Sequence, residues 1–294
     1  MRRRAVREAL RLTALYAASL VVLVWALLPV FWIVVSSISN RIELLSRPFK
    51  HWIPHEPTLQ NFVDVLTKGQ QFRAGGSLPT ATLLISGLRN TLIVALGTSL
   101  ITSVLSTLAG YAFARLRFRL SGLWFWFIML MMPLPIWTTL VSLYYLIASL
   151  GLLDTNISLV IIFAALSAPL AIWLMSTYIR EIPRELEEAS LIDGANRRQM
   201  ILSILTPLAL PGITSVFLVT FLNTWNAFLL PLIFTNTDRS QSITVVLSLF
   251  VGQYEVAWEQ MAAATVLVII PPILLALVFQ RFLVRGLTTG AVKG

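Results

Sequence analysis

The chain has 294 residues, 57% hydrophobic and 12% charged, with a formal net charge of +9 and no cysteine. A soluble domain carries roughly 25% charged residues, so this chain cannot cover a globule and the bilayer is its main solvent. Disulfides and thiolate metal sites are excluded, and the arginines cluster at the ends of apolar runs rather than on a basic, aromatic-studded face, which argues against nucleic acid as a partner.

The N-terminus begins Met1-Arg2-Arg3-Arg4 and leads into a nearly uncharged run from Leu12 to Ile38. A signal peptide has an apolar region of only about 7–15 residues followed by a small-residue cleavage site. This run is longer and shows no such site, so it reads as a retained span. A helix needs about 20 apolar residues to cross the hydrocarbon. Six stretches approach or meet that criterion: 12–37, 91–114, 122–147, 157–179, 201–234 and 261–283. The fifth carries Pro207, Pro211 and Pro231 and is expected to include a membrane-entry segment or a kink. No span centre holds Asp, Glu, Lys or Arg, each of which costs about 2.5–3.5 kcal/mol at a helix centre. The predicted fold class is all-α: a polytopic membrane protein with six transmembrane helices, one transmembrane domain over 1–294.

Orientation follows from the basic residues. Arg2, Arg3, Arg4, Arg7 and Arg11 put the N-terminus inside, and Arg115, Arg117 and Arg119 mark the next inside loop. Arg180, Arg184, Arg197 and Arg198 mark the third, and Arg281, Arg285 and Lys293 the tail. The 151–156 loop has no basic residue and the 235–259 loop only Arg239, so both face outward. Both termini are therefore expected in the cytoplasm, with the chain in the cytoplasmic (inner) membrane and the long 38–90 loop outside. A small helix is expected there after Pro57-Thr58. Trp32, Trp124, Trp126 and Trp258 fall near span ends, as an aromatic belt predicts, whereas Trp25 and Trp137 are expected to pack. His51 and His55 are four apart, but Pro54 breaks any helix between them and no acidic cluster completes a metal site, so they read as surface loop.

The second span carries small residues at Ala95, Ser99, Ser103, Ser106 and Gly110, all on one helical face. Such a face lets helix backbones approach closely in lipid. It serves either packing within the chain or a subunit interface.

Between the fourth and fifth spans lies a polar island, 182–198. Pro183 suits a first helical turn, and Glu185, Glu187 and Glu188 complement the helix dipole. Leu186, Ala189 and Ser190 form a small apolar stripe. Gly194 fits a left-handed stop, and Asp193 is placed to cap a second helix. The result is a short rigid knob on the cytoplasmic side, either an interfacial loop or a docking element.

Glu188-Ala189-Ser190, then Asp193-Gly194-Ala195, followed by Ile204-Leu205-Thr206-Pro207-Leu208, resembles the "EAA" signature of the permease subunits of binding-protein-dependent ABC importers. Ser190 stands where the family has a second Ala, and Thr206 where Leu precedes the proline. Tyr111 to Arg115, Gly151 to Thr155, Trp225-Asn226 with Pro231, and the tail Gly286 to Gly294 are similar to the carbohydrate-uptake branch, and the resemblance covers nearly the whole chain.

That resemblance implies the type I importer permease fold and a division of labour. A second permease subunit completes the pathway, two ATPase subunits power it, and an extracytoplasmic substrate-binding protein delivers a sugar. Glu188, Ala189, Ser190, Asp193, Gly194, Ala195 and Pro207 are the implied ATPase-coupling residues, and Gly290, Val292, Lys293 and Gly294 the implied tail contact. ATP and Mg are held by the partners, and no cofactor or metal by this chain. The residues agree. There is no Gly-x-x-x-x-Gly-Lys-Ser/Thr phosphate loop and no intramembrane ionisable group to couple proton flow, so this chain is expected to be non-catalytic. Asn223, Trp225 and Asn226 place two amides and an indole in the outer part of span five, suited either to sugar hydroxyls or to bonds between helices. Ala227 stands where the family often has an acidic residue. The alternatives are an importer for a non-sugar solute, a stand-alone secondary transporter or channel, which requires ionisable groups in the spans, and an intramembrane enzyme, for which no His-Glu-x-x-His or Asp pair exists.

Overall fold

The computed structural model describes the backbone of residues 2–46, 52–68, 71–73, 76–252 and 256–289, and the side chains of 10–46, 52–68, 79–252 and 256–280. Helix α1 is Arg2–Ser37, followed by the short α2 (Arg41–Leu45) and α3 (Gln60–Thr67). The last is the small helix expected after Thr58. Strands β1 (Gln71–Arg73) and β2 (Gly76–Leu78) pair antiparallel. Helices α4 (Ala81–Arg115), α5 (Ser121–Met129), α6 (Ile136–Ser149) and α7 (Asn156–Glu181) follow. The polar island holds α8 (Arg184–Ile192) and α9 (Arg197–Gln199), which runs through a π-helical turn, Met200–Leu205, into α10 (Thr206–Trp225). The chain ends with α11 (Leu229–Phe234), α12 (Ile243–Ser248) and α13 (Trp258–Thr289).

Among the described residues, five helical stretches are long and apolar enough to cross a membrane: Leu10–Ser37, Ala81–Arg115, Asn156–Glu181, Arg197–Trp225 and Trp258–Gln280. The stretch 122–147, expected as one span, is two helices. Pro133 and Pro135 lack the N–H that a helix interior needs and push their predecessors toward extended backbone, and Pro135 instead stands at the N-cap of α6. The stretch 201–234 is also divided. Asn226 closes α10, its backbone N–H and its side-chain Nδ2 both donating to the Leu222 carbonyl at 3.1 and 2.8 Å. The second span starts ten residues earlier than expected, because Thr80 Oγ1 accepts the Leu83 N–H at 3.1 Å and so caps α4 ahead of Arg89.

The chain divides into two compact units: 1–84 with 247–269, and 85–246 with 270–294. In the first unit, buried Asn61 on α3 donates through Nδ2 to the carbonyls of Ser37 and Ser39 at 2.9 and 3.0 Å, tying α3 to the end of α1. The apolar length of α1 is almost wholly uncovered by the chain. Trp25, expected to pack, is 77% exposed, as is most of Trp137 in the second unit. A ring that faces lipid needs no protein neighbour to stay out of water.

In the second unit, α4 and α7 meet at glycines. A Cβ on Gly110 would sit 2.8 Å from Met175 Cβ and 2.9 Å from the Ser176 backbone nitrogen, and one on Gly97 would sit 3.3 Å from Val160. Ala95, Ser99, Ser103 and Ser106 on the same stripe are buried within the chain, so the stripe serves intramolecular packing. Helix α10 meets α7 where Gly212 lies under the Tyr178 ring. Two apolar clusters result. One surrounds Met175, Ile179, Met200, Leu205 and Ala209 near the island. The other surrounds Leu159, Ile162, Phe163, Leu230 and Phe234 at the opposite end of α7.

Candidate coupling site

The island is built by three local stops. Ile182 ends α7 in extended backbone, its N–H donating to the Ile179 carbonyl at 3.2 Å. Pro183, placed in the first turn by its sequence, instead occupies the N-cap with ψ 132°, because a second consecutive extended residue is needed to turn the chain away from α7. Gly194 then ends α8 in the left-handed region at φ +90°. The Ala195 N–H reaches back to the Ser190 carbonyl at 3.0 Å and the Asp193 N–H to the Ala189 carbonyl at 2.9 Å, which satisfies the carbonyls that a helix end leaves open.

The residue that caps the next helix is Asn196, not Asp193. Asn196 Oδ1 accepts from the Gln199 N–H and Gln199 Oε1 from the Asn196 N–H, both at 2.9 Å, a complete capping box. Asp193 belongs to the C-terminal stop of α8, one residue before the glycine, and is too early to reach the second helix. After α9 the backbone widens into π geometry, with Thr206 Oγ1 donating to the Ile201 carbonyl at 2.8 Å. Pro207 follows in the first turn of α10.

The expected stripe of Leu186, Ala189 and Ser190 does not form one face. Ser190 is buried with Glu187, while Leu186, Glu188, Ala189, Leu191 and Ile192 face outward, Ile192 being 85% exposed. Glu187 decides this. Its Oε1 accepts from Arg115 Nε at 2.5 Å, and the two side chains are only 11% and 6% exposed. Arg115 Nη2 also donates to the Ile182 carbonyl at 2.5 Å, and Ser190 Oγ donates to the Glu187 carbonyl at 2.7 Å. Burying the carboxylate on its counter-ion turns the apolar residues of α8 outward. Sequence reading assigned Arg115 to topology and Glu187 to the dipole. The available signal was that both belong to the polar stretches that flank apolar runs.

At the end of the second unit away from the island the three candidate pathway residues part company. Asn223 is exposed and lines a cleft of about 250 Å³ between α7 and α10, together with Ser167, Thr220 and Thr224. The Thr224 hydroxyl is buried there without a hydrogen-bond partner. Trp225 is buried and stacks on Phe221 with centroids 5.4 Å apart. Asn226 is spent on the helix end described above. A polar junction that sequence reading did not assemble lies nearby. Asp154, itself in the left-handed region, accepts through Oδ1 from the backbone N–H groups of Asn236 and Thr237 and from Ser240 Oγ. Asn90 Nδ2 donates to the Asp238 and Gln241 carbonyls, and Thr91 Oγ1 accepts the Ile243 N–H. Gly290, Val292, Lys293, Gly294 and His51 lie outside the described residues. Among the described residues no group of three metal-ligating side chains occurs.

Residues 103–289 match the family model described as binding-protein-dependent transport system inner membrane component. The chain is 32% identical over 279 residues to the sulfoquinovosyl glycerol transport system permease protein SmoH of Agrobacterium fabrum, covering 95% of this chain and 93% of that one. It is 31% identical to the trehalose/maltose transport system permease protein MalG of Thermococcus litoralis, covering 98% and 99%. It is 33% identical to the trehalose transport system permease protein SugB of Mycobacterium tuberculosis, covering 92% and 93%. In fold it matches a chain from the crystal structure of a bacterial ABC transporter involved in the import of alginate, with a TM-score of 0.76 at 21% identity over 93% and 97% of the two chains.

Proposed function

This chain belongs to the family of binding-protein-dependent transport system inner membrane components, and on that footing we propose that it is the permease subunit of an ATP-driven importer that moves a sugar or oligosaccharide across the cytoplasmic membrane. The carbohydrate assignment is supported by the relatives, whose cargoes are a sulfoquinovosyl glycerol, trehalose/maltose and trehalose. The chain works with a second permease subunit, two ATPase subunits that hold ATP and Mg, and an extracytoplasmic substrate-binding protein. Both termini face the cytoplasm. Its own part is non-catalytic. It offers a surface to the motor and a polar route to the cargo.

The observation that carries the coupling role is the outward face of α8. Leu186, Ala189, Leu191 and Ile192 are exposed on a helix that is closed at its C-terminal end by the turn at Gly194 and anchored from beneath by Glu187. A rigid, partly apolar ridge on the cytoplasmic side, rimmed by Glu188 and Asp193, suits a cleft in a soluble partner. Gly194 sets the ridge's far end, and the tail from Gly290 to Gly294 adds a second contact. Along the pathway, Asn223 with Thr220 and Ser167 presents hydrogen-bonding groups suited to sugar hydroxyls.

The test is reconstitution with the ATPase and binding-protein subunits in proteoliposomes. Gly194→Val forces a β-branched residue toward positive φ and is expected to abolish ATPase co-purification and sugar uptake together. Glu188→Lys is expected to weaken both. Full uptake with stable co-purification in Gly194→Val would overturn the coupling assignment.

A further inference from the structure

Helix α8 is attached unequally to its two sides. On one side, Arg115, the last residue of α4, grips it by two hydrogen bonds of 2.5 Å, one to the Glu187 carboxylate within α8 and one to the Ile182 carbonyl at the α7–α8 junction. The guanidinium is the group suited to this, because its N–H donors project in fixed directions and can hold two acceptors at once. The pair is nearly sealed from solvent, so it cannot slide or exchange with water without exposing an uncompensated charge to the interior. Five residues up α4, Gly110 lies against Met175 and Ser176 of α7 with no room for a Cβ. The end of α4, the end of α7 and α8 therefore behave as one body.

On the other side the connection runs through an irregular backbone, although its side chains Met200 and Leu205 are buried in the cluster around Met175 and Ile179. The chain leaves α8 through Gly194, three residues of α9 and the π turn Met200–Leu205 before reaching Pro207, which has no N–H to complete the helical ladder of α10. Bends in helices concentrate at such places.

We propose that Arg115 is a positioning residue for transport: through Glu187 and Ile182 it passes displacement of α8 directly to α4, while the π turn lets α10 follow by hinging. This rests on the coupling role of α8 proposed above. The consequence is that α4, 72 positions away from Glu187 in the sequence, is driven as rigidly as the covalently joined α7.

Two measurements on the reconstituted complex test it. In the first, Glu187→Gln keeps an acceptor for Arg115 but removes the countercharge. ATPase co-purification is expected to weaken, and in the complex that still forms the sugar moved per ATP is expected to fall about tenfold or more, since the buried guanidinium loses its countercharge. Arg115→Lys, which keeps the charge but cannot hold both acceptors, is expected to fall between. Unchanged sugar-to-ATP stoichiometry in Glu187→Gln overturns the proposal. The second measurement needs no variant at this joint. Spin labels at Leu108 on α4 and Glu185 on α8 are expected to keep one separation in nucleotide-free and ATP-trapped complexes, while a pair at Glu185 and Leu210 on α10 changes. A shift in the first pair equal to that in the second overturns it. Wild-type complex that neither retains the ATPase nor couples it to uptake defeats the coupling reading and this inference together; normal wild-type coupling with either contrary result defeats this inference alone.

Discussion

The Asp154 carboxylate accepts a hydrogen bond from the Ser240 hydroxyl at 2.5 Å across 86 positions of sequence. With the Asn236 and Thr237 N–H groups at 2.8 and 3.0 Å and Thr237 Oγ1 at 2.6 Å, this one side chain pins the loop after α11 to the loop before α7. Burial would raise its pKa, but the bonds from Ser240, Thr237 and the Asn236 and Thr237 backbone outweigh that and hold the carboxyl at about 2, below the usual 3.8. A folded-state value below the unfolded one means the carboxylate's contribution to stability is complete above about pH 4 and is lost as pH falls toward 2. Asp154→Ala is expected to lower stability by about 2 kcal/mol, read as a Tm lower by roughly 4–8 °C in detergent. The deficit relative to wild type should be equal at pH 5 and pH 8. A deficit that changes between those two values would assign the stabilisation to another group.

Gly110→Ala places a methyl group against backbone as well as side chain, at 2.9 and 2.8 Å. Backbone cannot rotate aside, so α4 and α7 must separate. Overpacking of this kind costs about 1–3 kcal/mol. Gly194→Ala has nothing within 4 Å and meets only the conformational penalty of φ +90°, about 1 kcal/mol. Thermal unfolding of the two variants should rank Gly110→Ala as the more damaging, and only Gly194→Ala should leave the α4–α7 packing intact by crosslinking.

Ser103→Ala and Thr98→Val are expected to be neutral or stabilising by up to roughly 1 kcal/mol, because each removes a buried hydroxyl that has no partner. Ser103→Leu should instead reduce the yield of folded protein, since the position is buried within the chain. Yield after size-exclusion chromatography and Tm separate the two outcomes.

Asn223→Ala and Trp225→Ala should fail in different ways. Asn223 lines the cleft between α7 and α10, so its truncation is expected to raise the apparent KM for sugar uptake with folding unaffected. Trp225 is buried on Phe221, and its loss should cost about 3–5 kcal/mol of stability. Uptake kinetics and Tm on the same preparations distinguish them.

Much of the architecture can be read from one dimension. Lipid imposes long uncharged runs, and arginines cluster at their ends, so class and the polar island follow from composition alone. So does the left-handed stop at Gly194, a local property of one residue type. Pro133 and Pro135 likewise mark, in the sequence, a break inside 122–147 that length and hydropathy do not show.

The rest depends on pairs that local chemistry does not specify. Arg115 looks like any topology arginine until the fold brings it to Glu187, and that contact decides which face of α8 points outward. Asp154 is one acid in a short loop until Asn236, Thr237 and Ser240 converge on it. Whether Asn223, Trp225 and Asn226 line a cleft, fill a core or end a helix turns on rotation about the α10 axis, which packing against α7 sets. Ion pairing and close packing act over ångströms in space and are indifferent to separation along the chain.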